Sequence, residues 1–185
     1  AQDIDAGSVG YNYGIINAGT TGQNIKGTEY NYGVITTSKE RGQLVSSNAK
    51  GYNYGIIRNN KYEGQFVENS GSKIFNYGLI ENNTNTNTNN SHGQGIHGNG
   101  GYSYNYGIIR NTKVAIVGIT DTSKGQAYNY GVIDFRNSTE TEIFRNNVEN
   151  KGIVISDTTG LNLGKEEYKG VVLDSSFNLT ANANE

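Results

Sequence analysis

The 185-residue chain contains no cysteine and no proline. Without cysteine there are no disulfides, no thiolate metal sites and no cysteine nucleophile, a composition that suits a chain exported unfolded through a cell envelope. Proline would delete a ladder hydrogen bond from any interior strand, so its absence suits a long stacked sheet. An excess of one charge is missing too: 15 basic and 17 acidic residues are well mixed and leave a formal net charge of -2. No basic field is available to hold nucleic acid or an anionic membrane. No apolar run approaches the roughly 18 residues of a membrane span, and Ala1-Gln2-Asp3 lacks the basic and apolar parts of a signal peptide. An exported form is therefore expected to be a mature chain or an excised piece.

What the chain does have is repetition. Asn53-Tyr54-Gly55-Ile56-Ile57 has counterparts in Asn12-Tyr13-Gly14-Ile15-Ile16, Asn31-Tyr32-Gly33-Val34-Ile35, Asn76-Tyr77-Gly78-Leu79-Ile80, Asn105-Tyr106-Gly107-Ile108-Ile109 and Asn129-Tyr130-Gly131-Val132-Ile133, with a weaker Asn150-Lys151-Gly152-Ile153-Val154. From Asn to Asn the intervals are 19, 22, 23, 29, 24 and 21 residues, a solenoid period. Each unit continues through a polar, turn-rich stretch to a second apolar piece: Ile25, Leu44-Val45, Phe66-Val67, Ile96, Val114 to Val117, and Ile143-Phe144. Two short strands per unit fit one coil of an all-β, single-stranded, right-handed parallel β-helix of seven or eight coils. Lys169-Gly170-Val171-Val172 is the candidate eighth coil. Residues 1–10 read as a lead-in segment or cap, 11–175 as the β-helix, and 176–185 as a tail, a capping strand or a strand donated to a neighbour. The Asn-, Thr- and Gly-rich stretch 82–101 has one aliphatic, Ile96, and is expected to protrude as a loop.

Aligned on Asn, the copies become columns that stack one side chain per coil. Asn12, Asn31, Asn53, Asn76, Asn105, Asn129 and Asn150 are expected to pass amide hydrogen bonds up the axis. With period two, Asn, Gly and the second aliphatic share the interior side. The opposite parity pairs Tyr11, Tyr30, Tyr52, Phe75, Tyr104 and Tyr128 with Tyr13, Tyr32, Tyr54, Tyr77, Tyr106 and Tyr130, beside Ile15, Val34, Ile56, Leu79, Ile108 and Val132. A corner at Asn would turn one aromatic column inward; if the alternation holds, this outward face is several hundred square ångströms of contiguous apolar surface, and surfaces of that size are usually covered. It either stabilises the rod by stacking alone or is a contact face for another rod, another chain or a glycan. Further along, Arg58, Glu81, Arg110 and Asp134 alternate in sign, as in-register stacking of charges requires. Asn59, Asn82 and Asn111 suggest a second, shorter amide ladder.

Catalytic chemistry has little to stand on. Polysaccharide-active β-helix enzymes cluster carboxylates in a groove, whereas Glu81 and Asp134 are interleaved with Arg58 and Arg110, which would pair with them. His92 and His97 have no carboxylate or cysteine close in sequence and read as solvated loop histidines rather than metal ligands. Neither a cofactor, a metal nor an enzymatic activity is expected.

The seven Asn-x-Gly-x-aliphatic units, from Tyr11 to about Val154, resemble the repeat of bacterial type V secreted proteins, the autotransporter and filamentous-haemagglutinin-like passengers. The resemblance implies an extracellular or cell-surface, adhesin-like β-helix that engages protein or glycan ligands, with no catalytic residues carried over. A self-assembling subunit of an extracellular filament or biofilm matrix, joined through β-helix ends, the Tyr and Ile face or the C-terminal segment, is the alternative expectation.

Overall fold

The computed structural model describes residues 1–58, 61–69, 71–82, 91–97, 99–119, 125–136, 138, 140–164 and 169–182. It is all-β, and the chain winds as a parallel β-solenoid of seven coils with the start of an eighth. One wall is built by β1 (Gln2–Ile4), β4 (Gln23–Ile25), β7 (Gln43–Val45), β10 (Gln65–Val67), β13 (His92–Ile96), β16 (Val114–Val117) and β19 (Phe144–Arg145), paired in that order. The second wall is β2 (Val9–Asn12), β5 (Thr28–Asn31), β8 (Lys50–Asn53), β11 (Lys73–Asn76), β14 (Gly101–Asn105), β17 (Gly125–Asn129) and the first half of β20 (Val148–Ile155). The third is β3 (Ile15–Ala18), β6 (Val34–Thr37), β9 (Ile56–Arg58), β12 (Leu79–Glu81), β15 (Ile108–Arg110), β18 (Val132–Asp134) and the second half of β20. Because β20 runs unbroken, the last two walls form one continuous sheet. On it lies β21 (Lys169–Leu173), followed by β22 (Leu179–Asn182), which turns back antiparallel.

Three strands per coil, rather than the two expected, follow from a bend inside the repeat itself. Strands of the second wall end at Asn and those of the third begin at the first aliphatic, so Tyr and Gly form the corner. There the ladder doubles up: the backbone N–H groups of Tyr54 (2.7 Å) and Gly55 (2.9 Å) both donate to the Asn31 carbonyl, and Tyr77 and Gly78 do the same to Asn53. Two donors on one acceptor turn the chain without leaving an amide unpaired. None of the glycines from Gly14 to Gly152 in this motif has a positive φ. Their requirement is closeness: a Cβ on Gly33, Gly55, Gly78, Gly107 or Gly131 would run into the carbonyl of the equivalent glycine one coil earlier.

Inside, in-register pairing stacks like on like. Ile35, Ile57, Ile80, Ile109, Ile133 and Val154 line the third wall, and Ile25, Val45, Val67 and Ile96 line the first, all buried. The Asn ladder is continuous: each Nδ2 donates to the Oδ1 of the next coil's Asn, from Asn12 to Asn150, at 2.7 to 2.8 Å. A second ladder runs through Gln2, Gln23, Gln43, Gln65 and Gln94 with the opposite polarity, each Nε2 donating to the previous coil's Oε1 at 2.6 to 2.9 Å. In the last coils Ile116 and Phe144 take over that column.

Several boundaries differ from the sequence reading. Residues 1–10, read as a lead-in segment or cap, hold β1, the first strand of the first wall, and the start of β2. Residues 83–90 of the anticipated loop lie outside the described residues, but 92–96 form β13, buried throughout, because Gln94 and Ile96 continue two interior columns. Of the C-terminal segment, β22 pairs with the chain's own β21.

The corner geometry gives a paired test. Gly78→Ala should lower stability by about 1–3 kcal/mol, the range for forcing a methyl group into a packed site. Gly14→Ala, with nothing within 4 Å of the added Cβ, should leave the urea midpoint nearly unchanged. Equal effects would refute the close-approach explanation.

Candidate contact face

The second wall, the corner and the third wall together carry the outward columns. Along the second wall Tyr11, Tyr30, Tyr52, Phe75, Tyr104 and Tyr128 stack, and along the corner Tyr13, Tyr32, Tyr54, Tyr77, Tyr106 and Tyr130 do so. Within both columns ring centroids lie 4.7 to 5.3 Å apart and planes are inclined by only 6 to 12°. That spacing is the strand spacing, about 4.8 Å, so the backbone imposes the stacking. The columns touch sideways as well, as in Tyr30 with Tyr32 at 6.4 Å. Beside them Ile15 and Ile108 are exposed, and Val34, Ile56, Leu79 and Val132 are half-buried.

Stacking decides what this face presents. Each inner ring has its two faces against neighbours, so Tyr32, Tyr54, Tyr77, Tyr106 and Tyr130, at 40 to 44% exposure, offer edges and hydroxyls. Tyr13 is 73% and Tyr11 51% exposed, because the first coil has no coil below it. The opposite end of the corner column is closed by the Lys151 ammonium, 5.8 Å from the Tyr130 ring centroid, which is held in turn by Glu149 at 3.2 Å. Burial first, then the neighbouring phenols, pushes the phenols of Tyr32, Tyr52, Tyr77 and Tyr106 up, and Tyr104 to about 12. These five phenols are therefore neutral at physiological pH, and the face is a polar-edged apolar strip.

The charge column is in register, Arg58 opposite Glu81, Glu81 opposite Arg110 and Arg110 opposite Asp134. Arg110 binds Glu81 at 2.7 Å, but Asp134 turns to Arg136 of its own coil, also at 2.7 Å. Both carboxylates proposed for polysaccharide chemistry are thus engaged by guanidinium groups. Of the second amide series, Asn59 lies outside the described residues, and Asn82 donates its Nδ2 to the backbone carbonyls of Tyr62 (3.0 Å) and His92 (3.2 Å).

One cluster escaped sequence reading. His92 is buried on β13, not solvated, and its Nδ1 lies 3.6 Å from Glu63 Oε1, whose Oε2 accepts from Arg41 Nε at 2.8 Å. Arg41 also lies over the Phe66 ring at 4.2 Å. Burial pushes the Glu63 carboxyl up, but the His92 hydrogen bond and the Arg41 charge outweigh it and hold it below the ordinary glutamate value. His97 is exposed, as a loop histidine would be. The Gln ladder was missed too, although Gly-Gln two residues before an aliphatic recurs at Gly22-Gln23, Gly42-Gln43, Gly64-Gln65 and Gly93-Gln94. Among the described residues no group of three or more His, Cys, Asp or Glu is placed to hold a metal ion.

Fold and surface together define the class, a β-solenoid repeat protein with a tyrosine-edged strip along one corner. Comparison with family models, with curated proteins and with solved structures finds no match.

Glu63→Gln should cost about 2 kcal/mol at pH 7, since the half-buried Arg41 guanidinium loses its counter-charge. Glu63 stays ionised to lower pH in the fold than in the unfolded chain, so its contribution is complete above about 4.5 and lost as pH falls further. The gap between variant and wild type in urea titrations should therefore narrow from pH 7 to pH 3.

Proposed function

We propose that the chain is a non-enzymatic, adhesin-like segment of an extracellular bacterial surface protein, and that it binds a protein ligand on cells or in matrix through the tyrosine and aliphatic strip. The observation that carries this reading is the strip itself: two rows of phenol edges beside a row of aliphatic side chains, at fixed spacing on a rigid scaffold. Tyrosine offers large contact area with little rotamer entropy to lose, and here stacking has already frozen the rings. A sugar ring that stacks on an aromatic needs an open ring face, which the inner rows do not offer, so a protein surface fits the strip better than a glycan. Export is supported by the lack of cysteine and by the resemblance of the repeat to type V secreted passengers.

A second reading is self-assembly into an extracellular filament or matrix. Its support is the exposed apolar edge at Ile15 and Tyr13, 72% and 73% exposed, which a second copy would cover. The strand-donation route is weakened by β22, which is already paired within its own chain.

The two readings separate on one set of measurements. A binding screen of the chain against matrix proteins, host cells and glycan arrays should yield a protein ligand. The triple variant Tyr54→Ser, Tyr77→Ser, Tyr106→Ser should then weaken binding roughly 10- to 100-fold, as loss of aromatic contacts does, with the β-sheet circular dichroism retained. No ligand from the screen, or undiminished binding by the folded variant, rejects the first reading. Filaments in electron micrographs at high concentration would favour the second.

A further inference from the structure

Glu29 sits in the interior of the second coil, where every other buried side chain is an amide, a small residue or a hydrocarbon. In its column the neighbours are Gly10 on one side and Gly51 on the other. The room is supplied by Gly10: a Cβ there would run into Glu29 Oε2 and into Ile4 Cδ1. One carboxyl oxygen, Oε1, accepts from Gln23 Nε2 at 2.6 Å, while Oε2 is buried with no hydrogen-bond partner. No cation faces it. On the strands packed around it, the charged residues are Asp3 of β1 and Lys50 of β8, both at exposed positions, and the titratable phenols Tyr11, Tyr30 and Tyr52 belong to the outward column.

We propose that Glu29 is a proton-operated latch: with its carboxyl protonated it holds the first coil, β1 to β3, on the rod, and on ionisation it releases that coil. An ionised carboxylate in this place has one amide donor, on Oε1, and an Oε2 shut off from solvent, and a buried charge so poorly solvated is costly. On the first-coil side Gly10 is its ladder neighbour and Ile4 lies beside Gly10, so lifting that coil would open the carboxyl to water. Burial, opposed only in part by the Gln23 hydrogen bond, pushes the carboxyl up to about 7. A group whose folded value is raised stabilises fully below its unfolded value, here 4.5, and loses that contribution as pH rises to about 7 and beyond. Glu29 and Glu63 thus act in opposite directions, and acid favours a docked first coil while it weakens the Arg41–Glu63–His92 cluster. Release bares the edges of β4, β5 and β6, with the Gln23 and Asn31 amides at their ends.

Hydrogen exchange tests the latch without knowledge of any partner. Amides of residues 1–18 in the wild-type chain, corrected for intrinsic exchange, should lose protection by roughly 10²-fold between pH 5 and pH 8, while those of β17 and β18 change little. In Glu29→Gln, which keeps the shape and removes the charge, protection of 1–18 should be the same at both pH values. A carbon-13 titration of the Glu29 carboxyl in the wild type provides a second measurement that needs no variant. Equal protection at both pH values in the wild type, the same loss in Glu29→Gln, or a carboxyl midpoint near 4.5 would each overturn the proposal.

Discussion

Everything in this molecule follows from stacking like on like at the spacing of hydrogen-bonded strands, about 4.8 Å. Once coils are held in register, a residue at a given place meets its own counterpart above and below, and only some side chains tolerate that. Primary amides do, because one end donates and the other accepts. Phenol rings do, because the strand spacing exceeds the thickness of a ring by little and their quadrupoles allow an offset parallel stack. Branched aliphatics pack, and glycine allows the corner backbones to touch. Identical charges repel, so Arg58, Glu81, Arg110 and Asp134 alternate, while Lys50 and Lys73 stand opposite each other where Lys50 is exposed to solvent.

The same constraint explains which features were legible in the sequence. The Asn, Gly and second-aliphatic columns recur in every coil, so their register was readable without coordinates, whereas the outward placement of both tyrosine columns followed only if strand alternation ran on past Asn. A corner at Asn could be suspected but not placed, because the shared Asn carbonyl that turns the chain is a backbone event with no residue of its own. The first wall was only half visible, since its Gly-Gln signal appears in four coils and gives way to Ile116 and Phe144. Arg41, Glu63 and His92 lie 22 and 29 residues apart, and coils of unequal length hid that they are neighbours. The tract 82–101 looked like a single loop because its strand β13 is polar and glycine-rich, yet Gln94 has a partner in the previous coil and needs no hydrophobicity to be buried.

The interior changes character along its length. The first coils enclose two amide ladders and a carboxyl, whereas the last keep only the Asn ladder and enclose Phe135 and Val148, with Ile116 and Phe144 where the Gln ladder ran. Burial of hydrocarbon is favourable wherever it occurs, but buried amides are neutral only while each has its partner. The C-terminal coils therefore rest more on hydrocarbon, and the N-terminal coils, with two ladders, depend more on their neighbours being in place. Glu29 lies at that dependent end, and Lys151 and Glu149 close the tyrosine column at the other.

The opposed ladders have a consequence of a different kind. An amide in such a row has two orientations, and turning one around sets nitrogen against nitrogen on one side and oxygen against oxygen on the other. Each residue therefore inherits its orientation from the one before, and the choice made at Asn12 is copied through to Asn150. The Gln row copies its own choice in the reverse sense, from Gln94 back to Gln2. The two rows of dipoles partly cancel, so the core accumulates less field as coils are added. They also write a direction into the core, and a coil laid on backwards would misread both rows at once.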